Sequence, residues 1–171
     1  SNIKQTYRIK GEGMDSQDSA TLARGQQVIT ACAAIHKVID GKPAVLLAKR
    51  AETKKFLPGK YELPGGHIDF GEQPEEGLAR ELMEELQLEV VVGDVFSAFT
   101  YVNEVKESHS VELLYFAQAK EGSEPQANPS DHSELTWFTE DTIEQLRDVN
   151  GADDAEYPHV VKALELLKNK K

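Results

Sequence analysis

A single amphipathic helical segment lies between stretches of strand-forming residues, and this arrangement most constrains the fold. Leu78, Leu82 and Leu86 recur at the spacing of one helix face. On either side, residues 27–39 and 88–102 are rich in β-branched and apolar side chains, which favour strands. A central helix between strands predicts a mixed α/β fold.

Turn signals and periodicity predict the other elements. Asp40-Gly41 is a hairpin signal between the first strand and a second one at 43–50. Further strands are predicted at 110–119 and 134–139, and further helices at 139–148, with a capping-box-like Thr139–Thr142 start, and at 157–170. Residues 1–24 are polar and aperiodic, which predicts a loose N-terminal arm. No linker interrupts residues 25–171, which predicts a single domain.

The charge and cysteine content exclude several classes of protein. The formal net charge of −11 repels the phosphates of duplex DNA or RNA, so we expect no duplex nucleic-acid partner. The same charge repels nucleotide phosphates, so phosphate chemistry here needs a bridging cation. The only cysteine, Cys32, lies in an apolar stretch and excludes a disulfide framework. Without a bilayer-spanning stretch or a signal peptide, we expect no membrane partner and a cytoplasmic location.

Three glutamates share one arc of the central helix. Glu81, Glu84 and Glu85 are spaced i, i+3, i+4, so their carboxylates are neighbours. Like charges at this spacing oppose the helix by roughly a few tenths of a kcal/mol per pair. Two interpretations follow. Either the face is solvated, with Arg80 pairing with Glu84 at i+4, or a divalent cation lies between the carboxylates.

The residues before the helix favour the cation. Pro64, Gly65 and Gly66 predict a tight bend without side chains, which lets the backbone approach a ligand or ion. Carboxylates and a backbone carbonyl are hard oxygen donors that suit Mg²⁺, an ion that bridges to substrate phosphates. The segment therefore predicts a loop–helix metal site for phosphate chemistry.

The same segment is similar to the signature of the Nudix hydrolases. The matching residues are Gly66, Glu72, Arg80, Glu81, Leu82, Glu84, Glu85 and Leu88. Gln87 stands where the signature has glycine, and we expect it to end the helix in a left-handed conformation at a cost of about 1 kcal/mol. The resemblance extends over most of residues 27–168. It implies an α/β/α sandwich with a mixed central sheet and the signature loop–helix, in a cytoplasmic and often homodimeric protein.

The resemblance also implies roles for the acidic residues. Glu81, Glu84, Glu85 and the Gly65 carbonyl would bind Mg²⁺, for which Mn²⁺ can substitute. The catalytic base would be a carboxylate of the helix, Glu81 or Glu84, or else Glu134 in a later loop. Arg80 would pair with Glu72 and orient the helix against the loop.

Substrate contacts are implied at several other positions. Arg50 would contact phosphate or base. The alternative is a surface arginine whose aliphatic chain packs on apolar surface while its guanidinium stays in water. Leu63, Tyr101 and Phe116 would line a base pocket or simply pack in the core. Glu156 stands where MutT-like members that act on oxidised guanine nucleotides place an asparagine, which argues against 8-oxo-guanine specificity.

The resemblance implies hydrolysis of a nucleoside diphosphate linked to another group. A MutT-type nucleoside triphosphate pyrophosphohydrolase is the favoured interpretation, and a nucleotide-sugar or dinucleotide pyrophosphatase is the alternative. A non-catalytic nucleotide-sensing module on the same fold is a second alternative. Such modules typically lose signature carboxylates, whereas this chain has all of them, which favours an enzyme.

Overall fold

The computed structural model describes residues 25–170, which contain seven strands and three helices. They are β1 (Gln27–Ile39), β2 (Lys42–Arg50), β3 (Tyr61–Glu62), β4 (Gly65–His67), α1 (Pro74–Leu86), β5 (Val90–Asn103), β6 (Ser108–Ala119), β7 (His132–Phe138), α2 (Glu144–Asn150) and α3 (Tyr157–Asn169). The N-terminal arm predicted over residues 1–24 lies outside the described residues, and the single domain over 25–171 stays a prediction. Within the described range, no helix combines the length and the apolar character needed to cross a membrane.

The strands form one mixed sheet in the order β3-β2-β1-β6-β5, with β4 on β1 and β7 on β2. Among the seven strands of residues 25–170, only β1 and β6 pair in parallel. β1 and β2 pair next to their hairpin, from His36 opposite Val45 to Ile39 opposite Lys42. Farther along, β1 pairs with β4 and β2 pairs with β3. Residues 61–67 therefore fill the gap that opens between the first two strands.

Alternation along the strands divides the core into two layers. On β1, Ala31, Ala33 and Ile35 belong to the cluster that contains the buried leucines of α1. The intervening Cys32 and Ala34 belong to the cluster that contains the buried residues of α2 and α3. Successive side chains of a strand point to opposite faces, so one sheet buries both of its faces under helices. The result is a three-layer α/β/α sandwich.

Two features differ from the sequence-based expectations. Helix α2 begins at Glu144 rather than at 139. The backbone N–H of Thr139 does donate to Thr142 Oγ1 at 3.0 Å, but this bond closes a turn over 140–143 that comes before the helix. Strands β3 and β4 were not predicted, because segments of two and three residues show no periodicity of their own.

The glycines before α1 allow close packing of the chain. The predicted bend lies at Pro64, whereas Gly65 and Gly66 belong to the extended strand β4. Gly65 has φ 151°, and a Cβ there would overlap Ala31 O and lie 2.6 Å from Cys32 Cα. A Cβ on Gly66 would lie 2.5 Å from Glu81 Oε2. Glycine at 65 thus permits the close approach of β4 to β1.

We expect Gly65→Ala to lower the free energy of unfolding by about 3 kcal/mol or more, because steric overlap adds to backbone strain. Gly71→Ala is the matched control, since Gly71 also has a positive φ of 85° but open space around its Cα. Thermal denaturation of both variants measures the difference. Equal losses in the two variants would mean that close approach to β1 does not explain Gly65.

Gln87 ends α1 as expected. Its φ of 50° and ψ of 34° are left-handed, and its backbone N–H donates to the carbonyls of Leu82 and Met83. The N–H of Leu88 donates to Leu82 O at 3.3 Å. This pair of bonds satisfies carbonyls that the last helical turn leaves unpaired. The chain therefore accepts a non-glycine residue at a position that favours glycine.

We expect Gln87→Gly to stabilise the protein by between zero and about 1 kcal/mol. Relief of left-handed strain is offset in part by the greater freedom of glycine in the unfolded chain. The melting temperature should rise by at most a few degrees. A clear fall would contradict the strain that we assign to Gln87.

Candidate active site

A cleft of about 850 Å³ lies beside the segment that fills the gap between β1 and β2. Its walls come from residues 61–67, from α1 and from the loop at 150–156. Of the predicted site residues, the cleft is lined by Arg50, Leu63, Gly65, Arg80, Glu81, Glu84 and Glu85. The fold thus brings together residues that lie up to 35 positions apart in the chain.

The glutamates of α1 differ in environment. Glu81 is buried and Glu84 is exposed, although they are one turn apart. Burial raises the pKa of Glu81 to about 7. Glu85 has a buried Oε2 without a hydrogen-bond partner. Burial, followed by the charges of Glu62 and Glu81, raises the pKa of Glu85 well above its usual range.

Arg80 joins the loop to the helix. Its Nε and Nη2 donate to the two oxygens of Glu72 at 2.8 and 3.0 Å, and Nη2 also donates to His67 O at 3.0 Å. Its Nη1 donates to Glu81 at 3.0 Å and to Glu84 at 3.2 Å. The guanidinium lowers the pKa of Glu72. The expected Glu72–Arg80 pair is present, and so is the i+4 pair with Glu84.

The chemistry of this donor set fits a hard cation. Across residues 25–170, no three His, Cys, Asp or Glu side chains are grouped closely enough to hold a metal ion. In this arrangement Arg80 engages both Glu81 and Glu84. Glu85 keeps a buried oxygen without a partner, however, and an acceptor of that kind is available to a bound cation. Carboxylate oxygens are the donors that Mg²⁺ and Ca²⁺ prefer.

Arg50 is buried and held by internal contacts. Its Nε donates to Phe56 O at 2.6 Å, and its Nη1 donates to Glu62 Oε2 at 3.1 Å. Glu62 Oε1 also lies 2.8 Å from His132 Nε2. The alternative of a surface arginine is therefore wrong. Contact of Arg50 with phosphate or base stays a prediction.

The structure does not bring Glu134 into the cleft. It lies on β7 opposite Lys49, is exposed, and accepts a bond from Thr136 Oγ1 at 3.0 Å. The cleft is lined instead by Asp131, three positions earlier. The expectation of Glu134 as a base that faces substrate is therefore not supported by its position.

The three apolar candidates divide between cleft and core. Leu63 is buried and lines the cleft, and Tyr101 also lines it. Phe116 packs in the core, stacked on Phe96 with ring centroids 4.4 Å apart. Core packing, one of the two interpretations of Phe116, matches its position.

Sequence reasoning missed several acidic residues of the cleft, including Glu62, Asp131 and Glu112. Glu112 had a usable signal, because it shares its face of β6 with the core residues Leu114 and Phe116. A charged residue at a core-facing strand position indicates a built polar site. Glu62 and Asp131 lie in segments with no such pattern.

The loop between α2 and α3 is fastened to the β3 segment at both ends. Asn150 Oδ1 accepts from the Tyr61 N–H, and Asn150 Nδ2 donates to Tyr61 O, both at 2.8 Å. Glu156 Oε2 accepts from the Leu63 N–H at 2.8 Å. Residues 151–155, which we call the rim, line the cleft between these two anchors.

Comparisons with known proteins agree with the fold. The NUDIX domain model matches residues 30–160. The chain is 39% identical over 111 residues to "Putative 8-oxo-dGTP diphosphatase 2" of Mycobacterium tuberculosis (strain CDC 1551 / Oshkosh), which covers 62% of this chain and 70% of that protein. A crystal structure of a MutT NUDIX hydrolase from Burkholderia pseudomallei aligns with a TM-score of 0.56 and 32% identity, over 68% of this chain and 85% of that one. The MutT protein from Methanosarcina mazei Go1 has the same fold, with a TM-score of 0.63 and 22% identity over 85% of this chain and 98% of its own.

The fold and the cleft define an α/β/α sandwich with an acidic helix beside a ligand-sized cavity. The chain belongs to the Nudix family. It is a hydrolase that acts on pyrophosphate bonds, as the sequence predicted. Hydrolases of this family generally use divalent metal ions.

We expect Glu85→Gln to raise the melting temperature of the metal-free protein by several degrees. The substitution removes a carboxylate that is crowded by Glu62, Glu81 and Asp131, and the new amide can donate to one of them. An unsatisfied buried acceptor costs about 1–3 kcal/mol, and 1 kcal/mol is about 2–4 °C at this size. Glu76→Gln, at an exposed position of the same helix, is the control. A lower melting temperature for Glu85→Gln would show that the carboxylate stabilises the fold.

Proposed function

We propose that the protein is a MutT-type pyrophosphohydrolase that cleaves nucleoside triphosphates with Mg²⁺, or with Mn²⁺ in its place. The observation that carries this proposal is the buried, unpartnered Glu85 Oε2 beside Glu81 in a cleft of about 850 Å³. A cleft of that volume lies within the range of small-molecule sites, about 300–1,000 Å³.

The residues of α1 would hold the metal. Glu81, Glu84 and Glu85 supply the side-chain oxygens, and the Gly65 carbonyl completes the set that the resemblance implies. A bound divalent ion neutralises phosphate charge and lowers the pKa of an attacking water. The formal net charge of −11 favours such a neutralising ion for an anionic substrate.

The base that removes the proton from water is Glu81 or Glu84 in this proposal. Both carboxylates line the cleft, whereas Glu134 does not. Arg80 donates to both of them and so positions them relative to the loop. Its part in catalysis is therefore to orient these carboxylates.

Two alternative functions determine which other substrates and readouts the experiment must include. A nucleotide-sugar or dinucleotide pyrophosphatase would use the same metal and a different second group on the diphosphate. A nucleotide-sensing module would bind without turnover, but the retention of all the signature carboxylates favours the enzyme. The similarity to "Putative 8-oxo-dGTP diphosphatase 2" supports an oxidised guanine nucleotide as one substrate to test, whereas Glu156 argues against it.

The experiment is Mg²⁺-dependent release of pyrophosphate or phosphate from a panel of nucleoside triphosphates, 8-oxo-dGTP, nucleotide sugars and dinucleotides. We expect turnover of triphosphates that EDTA abolishes and added Mg²⁺ restores. Glu85→Gln should lower turnover by at least about 100-fold, because it removes a metal ligand. Glu76→Gln should leave turnover nearly unchanged.

Full activity without metal, or equal effects of the two variants, would contradict a metal site on α1. Turnover of nucleotide sugars or dinucleotides alone would favour the alternative substrates. Binding without any turnover would favour the sensing module.

The homodimer and the cytoplasmic location also stay predictions. Light scattering of the purified protein would test the first, and fractionation of cells that express it would test the second.

A further inference from the structure

Helix α1 covers only part of its side of the sheet. Ala31 packs with the leucines of α1, but Ile29, which points to the same side of β1, is 52% exposed. Ile29 lies opposite Val111 of β6, and Val111 lies opposite Thr100 of β5. Residues opposite one another on paired strands share a face of the sheet. This side of the sheet therefore continues beyond the helix across three strands.

We call the uncovered area the open face. It consists of exposed or half-buried side chains of three adjacent strands: Ile29, Ala98, Thr100, Val102, Val111 and Leu113. None of them is charged, although Asp, Glu, Lys and Arg make up 29% of the chain. Val102 is 64% exposed. A contiguous and mostly apolar area on a charged surface indicates an interaction site.

The exposed charges on β5, β6 and the turn between them are acidic. Across residues 90–119, Asp94, Glu104 and Glu107 are exposed, whereas the only Lys or Arg, Lys106, is 1% exposed. A second copy of this surface would bring the same carboxylates to the open face, and like charges would oppose its approach. The charges therefore favour a basic occupant.

The chain itself contains a basic segment with an apolar side. The predicted N-terminal arm is polar and aperiodic as a whole, but residues 3–10 alternate in the sequence IKQTYRIK. In an extended chain Ile3, Tyr7 and Ile9 would share one side. The other side would carry three basic residues: Lys4, Arg8 and Lys10. No acidic residue occurs before Glu12, so the segment is opposite in charge to the surface around the open face.

The described part of the chain begins beside the open face. The N–H of Gly25 donates to Glu107 O at 2.7 Å, and Gly25 lines a small depression together with Val102. Residues 11–24 connect the basic segment to this point, and a chain of that length extends to at most about 50 Å. The 14 residues of β5 span about 48 Å. Every part of the open face is therefore within reach of residues 3–10.

We propose that residues 3–10 dock on the open face of their own chain, with Ile3, Tyr7 and Ile9 packed against it. Burial of apolar surface on both sides drives the contact. The long basic side chains reach exposed carboxylates beside the face and add an attraction that salt screens. The segment thereby completes the layer that α1 leaves unfinished and covers an apolar surface that favours association with other molecules.

Limited digestion of the full chain with trypsin tests the docking, because trypsin cleaves after lysine and Lys10 lies in the segment. The initial rate of cleavage after Lys10 should be at least about 10-fold lower than in a synthetic peptide of residues 1–14, since the protease cuts only the undocked state. Val102→Asp should bring the rate to within about 3-fold of the peptide, because it places a charge on the open face. Val38→Asp is the matched control, since Val38 is 70% exposed at the hairpin end of β1, and it should leave the rate unchanged.

Substitutions within the segment provide a second comparison. Tyr7→Asp, on the apolar side, should raise the initial rate of cleavage after Lys10 by at least about 10-fold. Thr6→Asp, on the opposite side, should change it by less than about 3-fold. Both variants introduce the same charge, so the difference between them reports which side of the segment is docked. Thermal denaturation shows that each variant keeps the fold.

Dilution distinguishes docking within one chain from docking on a second copy. Docking within one chain gives protection that stays constant over an about 100-fold range of protein concentration, because no association is involved. Protection that falls on dilution would assign the segment to the open face of a second copy and overturn the proposal. A wild-type rate equal to that of the peptide would also overturn it, as would equal rates in Val102→Asp and Val38→Asp.

Discussion

The site depends on the guanidinium of Arg80. Neighbouring carboxylates on one helix face repel one another, and the loop between β4 and α1 must be held against the helix. Arg80 offsets the repulsion and also holds the loop in place. It donates to His67 O at the end of β4 and to Glu72 in the loop, and it donates to Glu81 and Glu84 on the helix. A planar guanidinium suits this role, since its donors diverge in fixed directions.

The long elements were predictable because their patterns are local. The leucines of α1 recur at helical spacing, and β1 alternates between two buried faces. Strands β3 and β4 were not predictable, since pairing with distant residues of β1 and β2 defines them. The requirement for Gly65 was missed for the same reason. Its neighbours are Ala31 and Cys32, more than thirty positions away in the chain.

The site was predictable where a helix carries it. Glu81, Glu84 and Glu85 share one face by spacing alone, and the structure places all three in the cleft. Glu134 was misplaced because it was assigned to a loop, whereas it lies on β7 opposite Lys49 and is exposed. Glu112 was overlooked although its position on the core-facing side of β6 could be read from the alternation of that strand.

The two anchors of the rim have a consequence for how related chains can diverge. Residues 151–155 connect Asn150 to Glu156. Both of these anchor residues are hydrogen-bonded to the same three-residue stretch, 61–63. Between them, the side chains of Ala152, Asp153 and Ala155 are exposed. Loop-closure entropy grows slowly, at about 0.6 kcal/mol for each doubling of length. Insertions and replacements in the rim can therefore reshape the mouth of the cleft while the sheet and α1 keep their positions, which makes the rim a segment where new substrate ranges can evolve at little cost to the fold.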